Sequence, residues 1–194
     1  YELTVEDLEA ASDLINNWDC IIAQFETPID VTTSAFKMAK KAGKVTILNP
    51  APAIDKIPAD LLKYTDIIMP NETESAKITG IPIKDNSTLA TNAEKLHLLG
   101  VKNVIITHGD KGAYISTPDV ETLVPAYKVD ATDTTGAGDT FIGYFASNLN
   151  ADMSNFEEAA KIASRASSIA VQRLGAQPSI PTEQEVKQAM EDEE

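Results

Sequence analysis

Short apolar runs alternate with stretches of helical spacing along this chain. Cys20-Ile21-Ile22-Ala23, Val45-Thr46-Ile47-Leu48, Asp66-Ile67-Ile68-Met69 and Val104-Ile105-Ile106-Thr107 have the length of buried strands. Thr4, followed by Asp7 and Leu8, predicts a capped helix running to about Asn17. A second helix follows Pro28, with Ala35, Met38, Ala39 and Ala42 on one side and Gly43 at its end. The loop Asn49-Pro50-Ala51-Pro52-Ala53 is stiff, because its two prolines fix φ. A short helix around Ala59–Lys63 leads into the third strand, and Pro70-Asn71-Glu72 opens a helix to about Thr79 that Gly80 and Pro82 break. Residues 88–99 are amphipathic, with Leu89, Ala93, Leu96 and Leu99 at helical spacing.

After the fourth strand, Gly109 and Gly112 frame a turn into Ala113–Ser116, with residues 120–124 as a hairpin partner. Residues 133–139 open a helix to about Leu149. Residues 155–174 predict a long helix rich in Ala and Ser and capped by Gly175. Its small residues read as close packing of a core helix against a neighbour. Residues 182–190 predict a last helix, with a frayed acidic tail over 191–194. The alternation predicts an α/β fold, a mostly parallel sheet in a three-layer αβα arrangement. No repeat, low-complexity linker or domain boundary interrupts it, so residues 1–194 read as a single domain.

Charge narrows the partners. The chain of 194 residues carries 30 acidic and 16 basic side chains, a net charge of −14. A nucleic-acid binder wants a basic face, and so does electrostatic docking on anionic membranes. One cysteine, Cys20, excludes an internal disulfide framework and a Cys-rich zinc site. No apolar run approaches the ~18 residues of a membrane span, and the start does not read as a signal peptide. The expected setting is reducing, soluble and cytoplasmic. The chain opens on Tyr1 rather than Met, so the expectation is that an upstream part is missing.

Chemistry concentrates where a loop becomes a helix, at Gly136-Ala137-Gly138-Asp139. Glycines let backbone N–H groups converge without Cβ obstruction, and a helix N-terminus adds roughly half a positive charge. Together they make an anion pocket. A carboxylate beside such a pocket opposes the anion, unless Asp139 accepts a proton from a hydroxyl attacking it. The alternative is that Asp139 serves only the first turn of its helix. Two glycine motifs are excluded. Gly136, Gly138 and Gly143 give G-x-G-x-x-x-x-G, not the dinucleotide fingerprint G-x-G-x-x-G. Gly138 and Gly143 have P-loop spacing, but Tyr144 and Phe145 stand where Lys and Ser/Thr are required.

The run Asp133-Thr134-Thr135-Gly136-Ala137-Gly138-Asp139-Thr140-Phe141 resembles the C-terminal signature of the ribokinase family of PfkB-type carbohydrate kinases. Further matches follow in family order. They are the Asn49–Ala53 loop residues, Asn71-Glu72-Thr73-Glu74, Thr107-His108-Gly109-Asp110-Lys111-Gly112 and Gly175-Ala176-Gln177-Pro178-Ser179. The resemblance implies a ribokinase-like fold that is only partial. It implies the nucleotide-binding and catalytic C-terminal part of a sugar kinase, with the first βα units and the small β-sheet lid absent.

The resemblance also implies roles. Asp139 would be the catalytic base taking the sugar's hydroxyl proton, and Gly136, Ala137 and Gly138 would form the anion hole for the γ-phosphoryl. ATP would be bound by Asn71, Thr107, Gly109, Asp110, Gly112, Gly138 and Ser164. Glu74, in the family's Asn-x-x-Glu motif, would organise Mg²⁺ through water, since Mg²⁺ retains waters. The other reading of that motif is a surface helix with acidic residues in its first turn. A monovalent cation, K⁺, would sit at Asp133, Thr135, Ala170, Arg173, Gly175 and Ser179, mostly on backbone carbonyls; the alternative there is an ordinary glycine-terminated helix. Glu26 would contact the sugar, as would Asp139. A solvated strand-end carboxylate is the competing reading of Glu26. His108 receives no chemistry, and His97 reads as a surface or boundary residue.

The implied function is ATP-dependent phosphorylation of a terminal hydroxyl, with D-ribose as substrate and a homodimeric full-length parent. The alternatives are a kinase of fructose, a ketodeoxy sugar acid or a nucleoside, and a non-catalytic sugar or nucleotide sensor. Lacking most sugar-binding residues, the 194-residue piece alone is expected to have little or no kinase activity. An α/β-hydrolase is disfavoured because no Gly-x-Ser-x-Gly occurs.

Overall fold

A computed structural model describes residues 3–192 of the chain. Glu193 and Glu194 of the expected acidic tail lie outside the described residues. The architecture is α/β, with strands hydrogen-bonded in chain order as a six-stranded, mostly parallel sheet. The chain packs as two compact units. One runs up to Ile106 and includes Ser116–Asp119; the other is Thr107–Ile115 with Val120 onward.

The first unit repeats strand and helix. It holds α1 (Val5–Ala10), α2 (Ser12–Asn17), β1 (Cys20–Ala23), α3 (Ile29–Lys41) and β2 (Val45–Leu48). It continues with α4 (Ala59–Lys63), β3 (Ile67–Ile68), α5 (Glu72–Thr79), α6 (Asn86–Leu98) and most of β4 (Asn103–Thr107). Pairing is parallel throughout, with Ile22 opposite Ile47, Ile47 opposite Ile67 and Ile67 opposite Asn103. Ile47, Leu48, Ile67, Ile68, Val104 and Ile105 are all fully buried. Successive strand residues point to opposite faces, so burial of both members of each pair means that both faces of these strands are covered. Asn92 of α6 is likewise fully buried. It accepts from Ser75 Oγ and Thr79 Oγ1 and donates to the Ile81 and Thr88 carbonyls, which satisfies a polar side chain inside an apolar interface.

The second unit holds most of β5 (Ala113–Ser116), then β6 (Glu121–Val124), α7 (Ala137–Asn148), α8 (Phe156–Ala170) and α9 (Glu183–Glu191). Phe145 is fully buried on α7, with ring centroids 6.4 Å from Phe141 and 5.6 Å from Phe156. Ala159, Ala160, Ala163 and Ala166 of α8 are all fully buried, and α8 packs against α7, β6 and α9. The small-residue stripe is therefore helix packing. The α9 helix is pinned by Arg165, whose guanidinium lies 4.6 Å from the Tyr127 ring and donates to the Ala189 carbonyl at 2.9 Å.

The third strand is shorter than its apolar run, Ile67–Ile68 rather than residues 66–69, and three helix limits differ from the sequence pattern. The expected single helix from Thr4 is two, interrupted at Ala11, whose N–H turns back to the Asp7 and Leu8 carbonyls. Helix α6 begins at Asn86 because Asp85 caps it by accepting from the Thr88 N–H. Helix α8 stops at Ala170 rather than running to Leu174. The Val171 carbonyl accepts the N–H groups of Thr132 and Asp133 at 2.7 and 3.0 Å, and Gln172 and Arg173 tighten into i→i−3 bonds. Gly175 thus closes a looped turn with φ +89°, four residues beyond the helix cap.

Candidate active site

In the second unit, Gly136 adopts the left-handed conformation (φ +76°) and caps α7. A Cβ there would meet Ala176 Cα at 3.4 Å, an ordinary contact, so it is the left-handed turn that calls for glycine. The Ala137 N–H is donated to the Thr134 carbonyl at 3.2 Å. Helix geometry leaves the Gly138 amide of the first turn without an intrahelical acceptor. Gly138 is exposed, and an added Cβ would meet nothing within 4 Å. Nothing in the packing demands glycine at 138; the open space above it suits the approach of a ligand. Asp139 follows, exposed, in the first turn of α7.

The preceding loop is rigidly braced. Asp133 accepts the Thr135 N–H and the Gly175 N–H, both at 2.9 Å, and these bonds hold its carboxyl below the ordinary aspartate range. The Ser167 hydroxyl donates to the Ala137 carbonyl at 2.8 Å, tying α8 to the start of α7. Ser179 is fully buried and donates to the Ala176 carbonyl at 2.7 Å. Asp133, Thr135, Gly175 and the Ala170 turn are therefore brought together around the helix-capping loop. Oxygen donors of carboxylate and carbonyl type, with Asp133 ionised, suit a hard monovalent cation.

Arg173 instead directs its side chain to Glu185, at 2.6 Å. That bond, with those from Thr182, holds the Glu185 carboxyl down at about 2. A carboxyl depressed from 4.5 stabilises the fold above that value and loses its contribution as pH falls through about 2. Replacing Glu185 by Gln is expected to lower Tm at neutral pH and to flatten its fall in acid; a Tm series from pH 7 to 2 reads both.

The segment expected over a nucleotide forms a tight turn in the same unit. Gly109–Lys111 is a single 3₁₀ turn, closed by the His108 N–H on the Gly112 carbonyl at 2.8 Å. Gly109 and Asp110 are exposed, Thr107 is half-buried, and Gly112 is buried against the Val124–Ala126 backbone. The Pro125 carbonyl in that backbone accepts the Ser164 hydroxyl at 3.3 Å. One strand end thus joins Gly112 and Ser164, which are far apart in sequence. His108 is buried, and its Nδ1 has no hydrogen-bond partner among the described residues.

In the first unit, the candidates follow the carboxyl ends of parallel strands, where α/β sheets place their ligands. Glu26 is exposed in the turn after β1. Asn71 caps α5 by accepting the Glu74 N–H at 2.8 Å, and Glu74 answers by accepting the Asn71 N–H at 2.9 Å. Glu74 Oε1 accepts the Asn71 side-chain amide at 2.9 Å, and Oε2 the Asn49 amide at 3.4 Å. Burial pushes the Glu74 carboxyl up, against the pull of these bonds. A carboxylate offers about four acceptor sites, so one remains for a metal-bound water. The Asn-x-x-Glu pattern forms a capping box, and its carboxylate is buried rather than set on a solvated helix face. Among the described residues no cluster of three or more His, Cys, Asp or Glu could hold a metal by direct ligation. His97 is half-buried and bonded to the Val101 carbonyl and Ser116 Oγ, both at 2.9 Å, in line with a boundary residue.

Sequence reasoning gave Gln24 and Asn49 no role, yet they contact this carboxylate system. The available signal was a polar residue closing an otherwise apolar strand.

A family model described as pfkB family carbohydrate kinase matches residues 3–183. The chain belongs to the pfkB family of carbohydrate kinases. Within the family, it is 48% identical over 184 residues to the bifunctional ribokinase/ribose-5-phosphate isomerase A of Fructilactobacillus sanfranciscensis, covering 95% of this chain and 34% of that protein. It is 46% identical to the ribokinase of Staphylococcus aureus, covering 96% of this chain and 61% of the relative. The structure of Arabidopsis thaliana ribokinase complexed with ribose and ATP superposes with a TM-score of 0.86 at 33% identity, over 93% of this chain and 58% of that one. The chain thus spans about a third to three-fifths of the length of these family members. Among the described residues, no helix is long and apolar enough to cross a membrane.

Proposed function

We propose that the gene product containing this chain transfers the γ-phosphoryl of ATP to the terminal hydroxyl of a small sugar, D-ribose, giving ribose 5-phosphate and ADP. The observation that carries the reading is Asp139, exposed in the first turn of α7 beside the open approach at Gly138. In the reaction the Asp139 carboxylate takes the hydroxyl proton. The sugar oxygen then bonds to the γ-phosphorus, and the bond from that phosphorus to the ADP oxygen breaks. Charge on the transferring group meets the amides of the glycine loop and the positive end of α7, the positioning and electrostatics that dominate phosphoryl transfer.

Asn71 and Glu74 would hold Mg²⁺ through water; when bound, it supplies charge neutralisation to the phosphates. Asp133 and Thr135, with the carbonyls of Ala170, Arg173, Gly175 and Ser179, would hold K⁺, whose charge would stiffen the glycine loop. Thr107, Gly109, Asp110, Gly112 and Ser164 would flank the nucleotide, and Glu26 would accept sugar hydroxyls. The ribokinase identities and the Arabidopsis complex with ribose and ATP support D-ribose.

The test is ADP release by the complete gene product with D-ribose, D-fructose, a ketodeoxy sugar acid and adenosine. D-ribose is expected to give the highest kcat/KM. Faster turnover of another acceptor reassigns the substrate, and ADP release that no acceptor stimulates removes the kinase reading.

A further inference from the structure

We infer that Gln24 and Asn49 are positioning residues for the Glu74 carboxylate, an inference that rests on the proposed role of Glu74 toward Mg²⁺. Asn49 is buried at the end of β2. Its side-chain amide donates to the Met69 carbonyl at 2.8 Å and reaches Glu74 Oε2 at 3.4 Å. Its side-chain oxygen accepts from Gln24 Nε2 at 2.7 Å, and its backbone N–H donates to the Ala23 carbonyl at 3.0 Å. The ends of β1, β2 and β3 therefore converge on one asparagine.

An asparagine amide has two orientations, and its hydrogen bonds choose between them. With the amide nitrogen toward Met69 and Glu74, every donor meets an acceptor. With the amide turned over, its oxygen would face the Met69 carbonyl and the carboxylate, and its nitrogen would face the Gln24 amide. The 3.4 Å contact to Glu74 is the weakest bond of the group, so energy is not its main contribution. Its effect is directional: Asn71 holds both oxygens, its backbone N–H on Oε2 and its side-chain amide on Oε1 at 2.9 Å, and the Asn49 N–H dipole meets Oε2 from a second direction. Gln24 locks that dipole from the far side. Gln24 also stands two residues before Glu26, so the side-chain line Gln24–Asn49–Glu74 joins the proposed sugar segment to the proposed metal carboxylate.

Outer partners of metal-binding groups typically change metal affinity by about 10–100-fold. The contact here is long, and the lower end applies. The experiment is calorimetric titration of the complete gene product with ADP, with and without Mg²⁺, for wild type, Gln24→Met, Asn49→Leu and Glu74→Gln. Gln24→Met is expected to leave Mg²⁺-free ADP affinity unchanged, to raise the Mg²⁺ concentration needed for the affinity gain by about 10-fold, and to recover at high Mg²⁺. Gln24→Met keeps the question answerable where Asn49→Leu does not fold. Loss of the Mg²⁺ effect in Glu74→Gln with full retention in Gln24→Met overturns the positioning role and leaves the Glu74 reading standing. An equal fall in ADP affinity with and without Mg²⁺ in Gln24→Met shows a merely structural contact and also overturns it. An unchanged Mg²⁺ effect in Glu74→Gln, or a wild type that binds no ADP, removes the Glu74 reading and this inference with it.

Discussion

Asp139→Asn is expected to lower kcat for phosphoryl transfer to D-ribose by about 10²–10⁴, the usual contribution of a general base. The substitution keeps the size and planarity of the side chain and removes only its capacity to accept a proton as an anion. Asp139 is exposed in the first turn of α7, where its charge contributes a favourable helix-dipole contact of about 0.3–1 kcal/mol. Tm should therefore move little. ATP affinity should hold or rise, since a negative charge beside the polyphosphate disappears. This separates a base from a residue that serves only the helix. The second would lower Tm slightly and leave turnover intact. Steady-state kinetics of the complete gene product, with nucleotide binding measured on the same variant, read all three quantities. Unchanged kcat removes Asp139 from the mechanism.

The strands were legible because their apolar runs are short and punctuated. Cys20–Ala23, Val45–Leu48 and Ala113–Ser116 have the limits that their sequence suggests. The start of α5 was legible for a related reason, since Asn71 and Glu74 satisfy each other locally. Features set by distant contacts were not legible. No glycine or proline marks the interruption at Ala11. The end of α8 is decided by N–H groups some forty residues upstream, at Thr132 and Asp133, which take the Val171 carbonyl. At the candidate site, the glycine turn into α7 and its exposed carboxylate could be read from adjacent residues. The Gln24–Asn49–Glu74 line could not, because it exists only once three parallel strands are in register. Nor could the Pro125 carbonyl that links Gly112 to Ser164.

Gly112→Ala is expected to destabilise the second unit by about 4 kcal/mol or more, in the range where one substitution is diagnostic of a specific clash. Two costs add. The backbone at 112 has φ +108°, a region that side-chain-bearing residues adopt only at a cost of about 1–3 kcal/mol. A Cβ would also stand 2.0 Å from the Val124 carbonyl oxygen, 2.8 Å from the Ala126 nitrogen and 2.9 Å from the Pro125 carbonyl carbon. All three are backbone atoms at the end of β6, which no rotamer change can clear. Gly109→Ala is the control three residues away. Gly109 has φ +50°, but a Cβ there would meet nothing within 4 Å, so only the conformational cost applies, about 1–2 kcal/mol. Urea unfolding of the two variants should therefore differ by several kcal/mol. Equal losses would mean that the strand end does not press on Gly112. A large difference also carries a functional consequence. The segment that would be pushed aside is the one whose Pro125 carbonyl holds Ser164 on α8. Gly112→Ala should therefore weaken nucleotide binding in whatever fraction remains folded, whereas Gly109→Ala leaves that strand end where it is.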